Sequence, residues 1–309
     1  MKAHRDISPG FGGPALKAYL NAKTAKVNAF LDSYLPEETR APETLHRAMR
    51  YSVFAGGKRI RPIFTVAGAE AVGGCEDRVI PLAAAIELIH AYSLIHDDLP
   101  ALDDDDYRRG RLSSHKVFGE AIAILAGDAL LTKAFELLAD RRHFDGVDPA
   151  LLLDVAKQVG HTAGSTCMVG GQVVDLESEG KEVDLPLLEY IHVNKTGNLI
   201  VTSVTSGARL CGANAGHLRR LTRYGECVGL MFQITDDILD VEGARDAMGK
   251  EAGADQIRGK ATFPGLLGVS ESRERAAELT ERAIESLQDF GREADPLRAL
   301  AAYLRDRDR

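Results

Sequence analysis

Two clusters of aspartates each follow a long apolar stretch of this sequence. The first lies in SLIHDDLPALDDDDYRRG, residues 93–110, which contains six aspartates, and the second is DDILD, residues 236–240. Two carboxylates about 4 Å apart repel each other by roughly 4 kcal/mol at an effective dielectric constant near 20. Each cluster must therefore lie in open water, as a solvated acidic loop, or hold cations.

The second cluster has the spacing of a metal site on one helix. Asp236 and Asp240 are four residues apart, so both project from the same helical face. Asp237 lies about 100° away around the helix and is expected to support the other two. The cluster also ends an apolar helical run, where the negative end of the backbone dipole favours cations.

The first cluster needs a break in the helix to reach a similar arrangement. Asp97 and Asp103 are six residues apart, which does not place them on one face of a straight helix. Pro100 disrupts the helix between them and lets Asp103 return toward Asp97. Carboxylate oxygens without cysteine or histidine partners suit a hard ion, so the pattern predicts Mg²⁺ and not zinc. Because Mg²⁺ keeps water and phosphate oxygens in its shell, the expected substrate is phosphorylated.

A basic loop fits a phosphorylated substrate. GGKRIRP, residues 56–62, places Lys58, Arg59 and Arg61 behind two glycines. Glycine lets the backbone approach a ligand closely, and arginine can bind phosphate through two parallel hydrogen bonds. A basic turn on the surface is the alternative interpretation of this loop. His90, two helical turns before Asp97, is a further candidate, and its alternative interpretation is a core histidine with a hydrogen bond to the backbone. The further polar candidates within or beside apolar stretches are Arg108, Arg109, Lys195, Thr196, Gln233, Lys250 and Lys260.

Helices must position these residues. Long apolar stretches, such as PLAAAIELIHAYSLIHDD with Pro81 at a first-turn position, belong inside a helical bundle. Alternating strand patterns are scarce, and Asn-Gly or Asp-Gly turns between β-branched runs are missing. We expect one all-α domain over residues 15–309, preceded by a flexible arm of residues 1–14.

Composition narrows the possible functions. The chain has 309 residues, of which 45% are hydrophobic, which suffices for a sizeable core. Its net charge of −8 argues against non-specific nucleic-acid binding. No apolar stretch reaches the roughly 20 residues of a membrane span and no signal peptide opens the chain, so we expect a cytoplasmic protein. The four cysteines lack CxxC spacing and are expected to be reduced thiols.

The combination of motifs resembles the trans-isoprenyl diphosphate synthases, most closely the bacterial farnesyl diphosphate synthases. The resemblance runs from about residue 40 to residue 305 and rests on GGKRIRP, HAYSLIHDDLPALDDDDYRRG, GEAIAILAGDALL, MVGGQVVDLESEG, NKTG, FQITDDILD and GADQIRGKATFP. It implies the isoprenoid synthase fold, an all-α bundle around a central cavity, and a homodimer. Tyr107 departs from the family pattern, in which leucine is commoner, but leaves the aspartates intact.

The resemblance also implies a role for each candidate residue. Mg²⁺ ions would grip an allylic diphosphate, the diphosphate would leave to form a carbocation, and the double bond of isopentenyl diphosphate would attack that cation. The implied metal ligands are Asp97, Asp103 and Asp236, supported by Asp98, Asp237 and Asp240. The implied contacts to the leaving diphosphate are Arg108, Lys195, Lys260 and Lys250. The implied contacts to isopentenyl diphosphate are Lys58, Arg61, His90 and Arg109. Thr196 and Gln233 would turn oxygen dipoles toward the cation. Gln172 and Asp175 match the family without an assigned role.

Product length is expected to depend on the residues just before the first cluster. Tyr92 lies about 7 Å along the helix axis from Asp97, with Ser93 beside it, where a large ring would close a channel after a few C5 units. Ordinary core packing is the alternative for Tyr92. The expected product is (2E,6E)-farnesyl diphosphate, with geranyl or geranylgeranyl diphosphate as alternatives. A terpene cyclase would not need a second diphosphate site, and an inactive scaffold subunit of a heteromeric synthase would be expected to lack one acidic motif.

Overall fold

The described part of the chain is almost entirely helical. The computed structural model describes residues 11–246 and 260–307, with side chains omitted for residues 243–246. The helices in these ranges are α1 Gly13–Tyr34, α2 Glu43–Val53, α3 Ile60–Glu70, α4 Ile80–Asp97, α5 Ser114–Phe118, α6 Glu120–Ala139, α7 Pro149–Ala163, α8 Met168–Ser178, α9 Leu185–His192, α10 Asn198–Leu210, α11 Ala215–Asp246, α12 Phe263–Leu267, α13 Val269–Ser286 and α14 Asp295–Arg305. The predicted all-α single domain is confirmed. Helix α1 begins at Gly13, so its first two residues fall inside the predicted arm, whose residues 1–10 lie outside the described residues.

One short hairpin was not predicted from the sequence. Strands β1, Tyr107–Arg108, and β2, Arg111–Leu112, pair in antiparallel register. The two turn residues, Arg109 and Gly110, have φ angles of 53° and 77°. Positive φ at both central residues is typical of the tight turns that match strand twist. The sequence pattern missed this hairpin because an arginine occupies a turn position where asparagine or aspartate is usual.

Two apolar cores hold the bundle together. The first surrounds α4, which is buried on nearly every face and packs against α3 and α6. The second surrounds α11 and includes side chains of α3, α10, α13 and α14. Helix α3 contributes to both cores, because Val66 belongs to the first and Phe64 to the second. No helix in the described ranges is both long enough and apolar enough to cross a membrane.

The contact between α3 and α10 depends on two glycines. A Cβ atom added to Gly68 would lie 2.2 Å from the carbonyl oxygen of Val204, and one added to Gly207 would lie 2.0 Å from that of Thr65. Neither distance is possible between real atoms, and the obstacle in both cases is backbone. The two helices therefore approach more closely than any side chain at these positions would permit.

We expect Gly207→Ala to lower the free energy of unfolding by about 1–3 kcal/mol, because the new methyl group must push α3 and α10 apart. The matched control is Gly160→Ala on α7, where an added Cβ would lie 3.5 Å from the ring of Phe135. That substitution should leave stability unchanged or raise it by up to about 1 kcal/mol, since alanine favours helix over glycine. Denaturant unfolding of both variants measures the difference, and equal stabilities would contradict the close approach.

Candidate active site

A cavity of about 710 Å³ opens between α4, α8, α10 and α11. Its wall has a charged part and an apolar part. The charged and polar lining residues are Arg61, His90, His96, Asp97, Asp103, Arg108, Arg109, Gln172, Lys195, Thr196, Gln233, Asp236 and Lys260. The apolar part includes Tyr92, Leu102, Met168, Val169, Val173, Leu176, Leu199 and Phe232, and Ser93 lies beside Tyr92. Most of the residues singled out in the sequence thus face one cavity.

The first aspartate cluster folds back on itself at the end of α4. The backbone N–H of Asp103 donates to the carbonyl oxygen of Asp97 at 2.8 Å, and the N–H groups of Leu102 and Asp104 donate to that of Leu99 at 2.9 and 3.1 Å. Asp104 adopts a left-handed conformation with φ of 49°. This tight loop brings Asp97 and Asp103 to the same wall of the cavity.

Asp98 turns away from that wall. The residue is 3% exposed, and its Oδ1 accepts a hydrogen bond of 2.9 Å from Nε of Arg108. Arg108 also donates from Nη2 to Asp105 at 3.0 Å. Among the described residues Asp98 does not line the cavity, so its contact is with the arginine and not with the cavity itself. It fixes the hairpin that carries Arg108 and Arg109.

The second cluster divides in the same way. Asp236 lines the cavity, and its Oδ1 accepts a hydrogen bond from Arg307 near the end of the chain. Asp237 is buried, accepts the backbone N–H of Phe263 at 2.9 Å and lies 3.4 Å from Nε2 of His192. Asp240 does not belong to the cavity wall formed by the described residues. Asp237 instead ties α11 to the segment that follows Lys260.

Asp175 joins the two lysines of the charged wall. Its Oδ2 accepts a hydrogen bond of 2.7 Å from Nζ of Lys195 and lies 3.8 Å from Nζ of Lys260. Lys260 in turn donates to Oδ1 of Asp103 at 2.7 Å. The network connects the loop after α4, helix α8, the residues before α10 and the residues before α12. Lys250 lies outside the described residues.

Lys195 and Thr196 lie in a π-helical segment, Val193–Gly197, between α9 and α10. Such wider turns are rare in proteins, and those that occur are often found at functional sites. Two glycines make room for it. A Cβ on Gly171 would lie 2.4 Å from the backbone nitrogen of Lys195, and one on Gly229 would lie 2.8 Å from Cα of Gly197.

A second group of basic residues, Arg61, His90 and Arg109, lines the same cavity. Nη1 of Arg61 donates to Nε2 of His90 at 3.2 Å, which requires that nitrogen to carry no proton. Burial lowers the pKa of His90 well below its ordinary value of 6.5, and the charges of Arg61 and Arg109 lower it further. Arg109 donates to the carbonyl oxygen of Gly56, and its guanidinium fills the place that a Cβ on Gly57 would take. His90 is therefore neutral beside charged arginines.

The three basic residues of GGKRIRP point in different directions. Arg61 reaches the cavity, and the pKa of Lys58 is lowered by burial and then by Arg307 nearby. Arg59 turns into the core instead. There it donates to Oε1 of Glu87 at 2.6 Å, in a pair whose side chains are each 2% exposed. Arg59 has a left-handed backbone conformation, with φ of 51°, immediately before α3 begins.

Two aspartates at the cavity are largely removed from water. Burial raises the pKa of Asp97 and of Asp236 to about 6, because desolvation disfavours the charged form. A divalent cation would restore that form, and oxygen donors of this kind fit Mg²⁺. Asp97, Asp103 and Asp236 are not gathered around one point. Among the described residues, the three metal-ligating side chains that come within 4.8 Å of one another are Asp104, Asp106 and His115, outside this cavity.

The sequence also matches a known family over most of its length. Residues 42–302 match the sequence model described as polyprenyl synthetase. The chain belongs to the polyprenyl synthetase family. Membership supports trans-prenyltransferase activity for this polyprenyl synthetase.

Individual relatives agree with this assignment. A dimethylallyltranstransferase of Fischerella ambigua is 49% identical over 290 residues, covering 94% of this chain and 83% of that protein. A farnesyl diphosphate synthase of Geobacillus stearothermophilus is 44% identical over 290 residues, covering 94% and 96%. A crystal structure of an FPP/GFPP synthase from Zymomonas mobilis has a TM-score of 0.84 and 36% identity, covering 93% and 98%. Other relatives are named geranylgeranyl or geranylfarnesyl diphosphate synthases, so these names do not fix one product length.

Three features of this polyprenyl synthetase site were not assigned from the sequence. The bridging role of Asp175 could have been suspected from a lone carboxylate in the apolar run MVGGQVVDL. The glycine Gly171 in the same run carries no signal of what it must accommodate. Arg307 is distant in sequence from every motif, and only the fold brings it to Asp236.

Proposed function

We propose that this protein condenses isopentenyl diphosphate with dimethylallyl diphosphate and then with geranyl diphosphate, to give (2E,6E)-farnesyl diphosphate. The observation that carries this proposal is one cavity whose wall contains two groups of charged and polar residues. Aspartates and lysines form one site, and Arg61, Arg109 and neutral His90 form the other. Apolar side chains, with the ring of Tyr92 among them, line another part of the same cavity. Two diphosphates and one growing hydrocarbon chain account for all three parts.

The aspartate site would take the allylic diphosphate. Asp97, Asp103 and Asp236 would hold Mg²⁺, which when bound neutralises diphosphate charge and favours its departure. Lys195 and Lys260 face the same space and add positive charge to the leaving group. Arg108 adds a guanidinium held in place by its carboxylate partners, and Lys250 stays a prediction of the sequence.

Bond formation follows at the apolar end of this site. The carbon–oxygen bond of the allylic diphosphate breaks and leaves an allylic cation, toward which Thr196 and Gln233 present oxygen dipoles. The electron pair of the isopentenyl double bond then forms the new carbon–carbon bond. The adjacent carbon then loses a proton to the released diphosphate, which acts as the base, and a double bond is restored. The arginine site, completed by Lys58, would hold the isopentenyl diphosphate during this step.

The remaining aspartates of the two clusters act through other residues in this proposal. Asp98 orients Arg108 through their hydrogen bond, and Asp237 fixes the backbone at Phe263, three residues after Lys260. Asp240 keeps its predicted place as a support of the metal site. These positions explain why each cluster contains more carboxylates than the cavity wall receives.

The other functions considered fit the cavity less well. A terpene cyclase would leave the arginine site without a ligand, and an inactive scaffold subunit would have no use for two aspartate clusters that both face the cavity. Geranyl and geranylgeranyl diphosphate remain the alternative products. A cytoplasmic location stays a prediction of the sequence.

We expect the purified protein to convert isopentenyl and dimethylallyl diphosphates to prenyl diphosphates only with a divalent cation, and Asp97→Ala to lower kcat by about 10²–10³-fold. The carboxylate acts on charge that develops during the reaction, so folding should be unaffected. Chromatography of the dephosphorylated products measures both effects. Asp154→Ala, which removes an exposed aspartate of α7 outside the cavity wall, is the matched control. Full turnover in excess EDTA, or by Asp97→Ala, would contradict the metal assignment.

We expect Tyr92→Ala to shift the main product from C15 toward C20 or longer, because the ring would no longer close the apolar part of the cavity. Truncation of a large buried side chain can cost about 3–5 kcal/mol, so circular dichroism must first confirm a folded variant. Tyr190→Ala, an exposed tyrosine of α9, is the control. A folded Tyr92→Ala enzyme that still stops at C15 would mean that another residue sets the product length.

We also propose a homodimer, supported by apolar side chains that α5 and α6 leave exposed. Val117, Ile124 and Leu125 are 43%, 42% and 53% exposed. Leu125→Asp should therefore weaken association, while Leu266→Asp on α12 should not. Sedimentation equilibrium is expected to give twice the chain mass of 33.4 kDa for the wild type. A monomeric wild type at micromolar concentration would contradict the proposal.

A further inference from the structure

The imidazole of His96 lies between the cavity and helix α6. Its ring lines the cavity and meets the ring of Tyr92 edge-on, with 5.6 Å between centroids and an interplanar angle of 80°. Its Nε2 lies 3.1 Å from the carbonyl oxygen of Ile124. Because a carbonyl oxygen only accepts, Nε2 carries the proton and donates it. One hydrogen bond and one aromatic contact therefore fix the position of the imidazole.

The imidazole of His96 fits against α6 because residue 127 is a glycine. A Cβ added to Gly127 would lie 2.2 Å from Nε2 and 2.5 Å from Cδ2 of His96. Gly127 is buried in the middle of α6 and has an ordinary helical conformation, so backbone freedom does not explain the glycine. The missing side chain instead leaves the space that the imidazole fills.

We propose that His96, whose ring packs against Gly127, determines product length together with Tyr92. This inference rests on the proposed prenyltransferase function. The growing chain must extend from Asp97 along the wall that contains Tyr92, and His96 lies one helical turn from Tyr92 on the same face of α4. The position of the imidazole therefore sets both the width of the cavity at this level and the edge against which the tyrosine ring rests.

Two substitutions should move the product in opposite directions. His96→Ala removes the imidazole and the edge contact to Tyr92, so the cavity widens and the product lengthens. Gly127→Ala places a methyl group where the imidazole lies, and the open space beside the ring is the cavity that it lines. The ring must then enter the cavity, which narrows it and shortens the product. A residue with a merely structural role would lower stability without this opposition.

The double variant His96→Ala/Gly127→Ala separates this mechanism from a general disturbance of α6. Without the imidazole, the new methyl group has nothing to displace. The double variant should therefore give the product distribution of His96→Ala, which is the non-additivity expected of residues in direct contact. Gly160→Ala and His161→Ala on α7 are matched controls for the two substitutions and should leave the distribution unchanged.

The test is the product distribution of these enzymes with isopentenyl and dimethylallyl diphosphates. We expect the C20:C15 ratio to rise on the order of tenfold or more in His96→Ala, and the C10:C15 ratio to rise similarly in Gly127→Ala. Unchanged ratios in both, shifts in the same direction, or a double variant that behaves like Gly127→Ala would overturn the inference while leaving the prenyltransferase function intact. A wild type that forms no prenyl diphosphate at all would overturn the proposed function and the inference with it.

Discussion

Buried charge around one cavity is the constraint that shapes this structure. A charge removed from water is strongly unfavourable unless it has a partner, and losing one partner of a buried pair costs several kcal/mol. The fold provides partners from distant parts of the chain. Glu87 of α4 holds Arg59, and Asp175 of α8 holds Lys195 and lies within ion-pair distance of Lys260. The first aspartate of each cluster keeps a raised pKa, because burial there is not fully compensated by the protein. These carboxylates are the groups that a bound cation would stabilise most.

Close backbone contacts give that arrangement its geometry. Gly68 and Gly207 bring α3 and α10 together, while Gly171 and Gly229 pack against the π-helical segment that presents Lys195. Glycine at these positions removes the side chain that would separate two elements. At Gly127 the missing side chain makes room for the imidazole of His96 and not for the backbone of another helix. Glycines thus help to position both parts of the cavity wall: Gly171 and Gly229 beside Lys195, and Gly127 beside His96.

Local sequence signals predicted the helices and most of the cavity wall. Apolar runs identified α4 and α11, and the spacing of aspartates with the break at Pro100 predicted the return of Asp103 toward α4, because these features depend on neighbouring residues. Features that depend on contacts between distant segments could not be predicted in this way. Arg59 belongs to the same basic loop as Arg61, which lines the cavity, yet its guanidinium pairs with the buried Glu87 in the core. Asp98 gave the same signal as its neighbour, and only the hairpin with Arg108 shows where it points.

The central claim is that two diphosphates occupy two different sites, of which only the aspartate site needs a metal. Titration calorimetry of the wild-type protein tests it directly. The ligands are isopentenyl diphosphate and an allylic diphosphate analogue in which sulfur replaces the bridging oxygen, each titrated with Mg²⁺ and with EDTA. The account predicts that isopentenyl diphosphate binds with similar affinity in both conditions, whereas the allylic analogue binds only with Mg²⁺. Binding of isopentenyl diphosphate that requires Mg²⁺, or tight binding of the allylic analogue in EDTA, would contradict it.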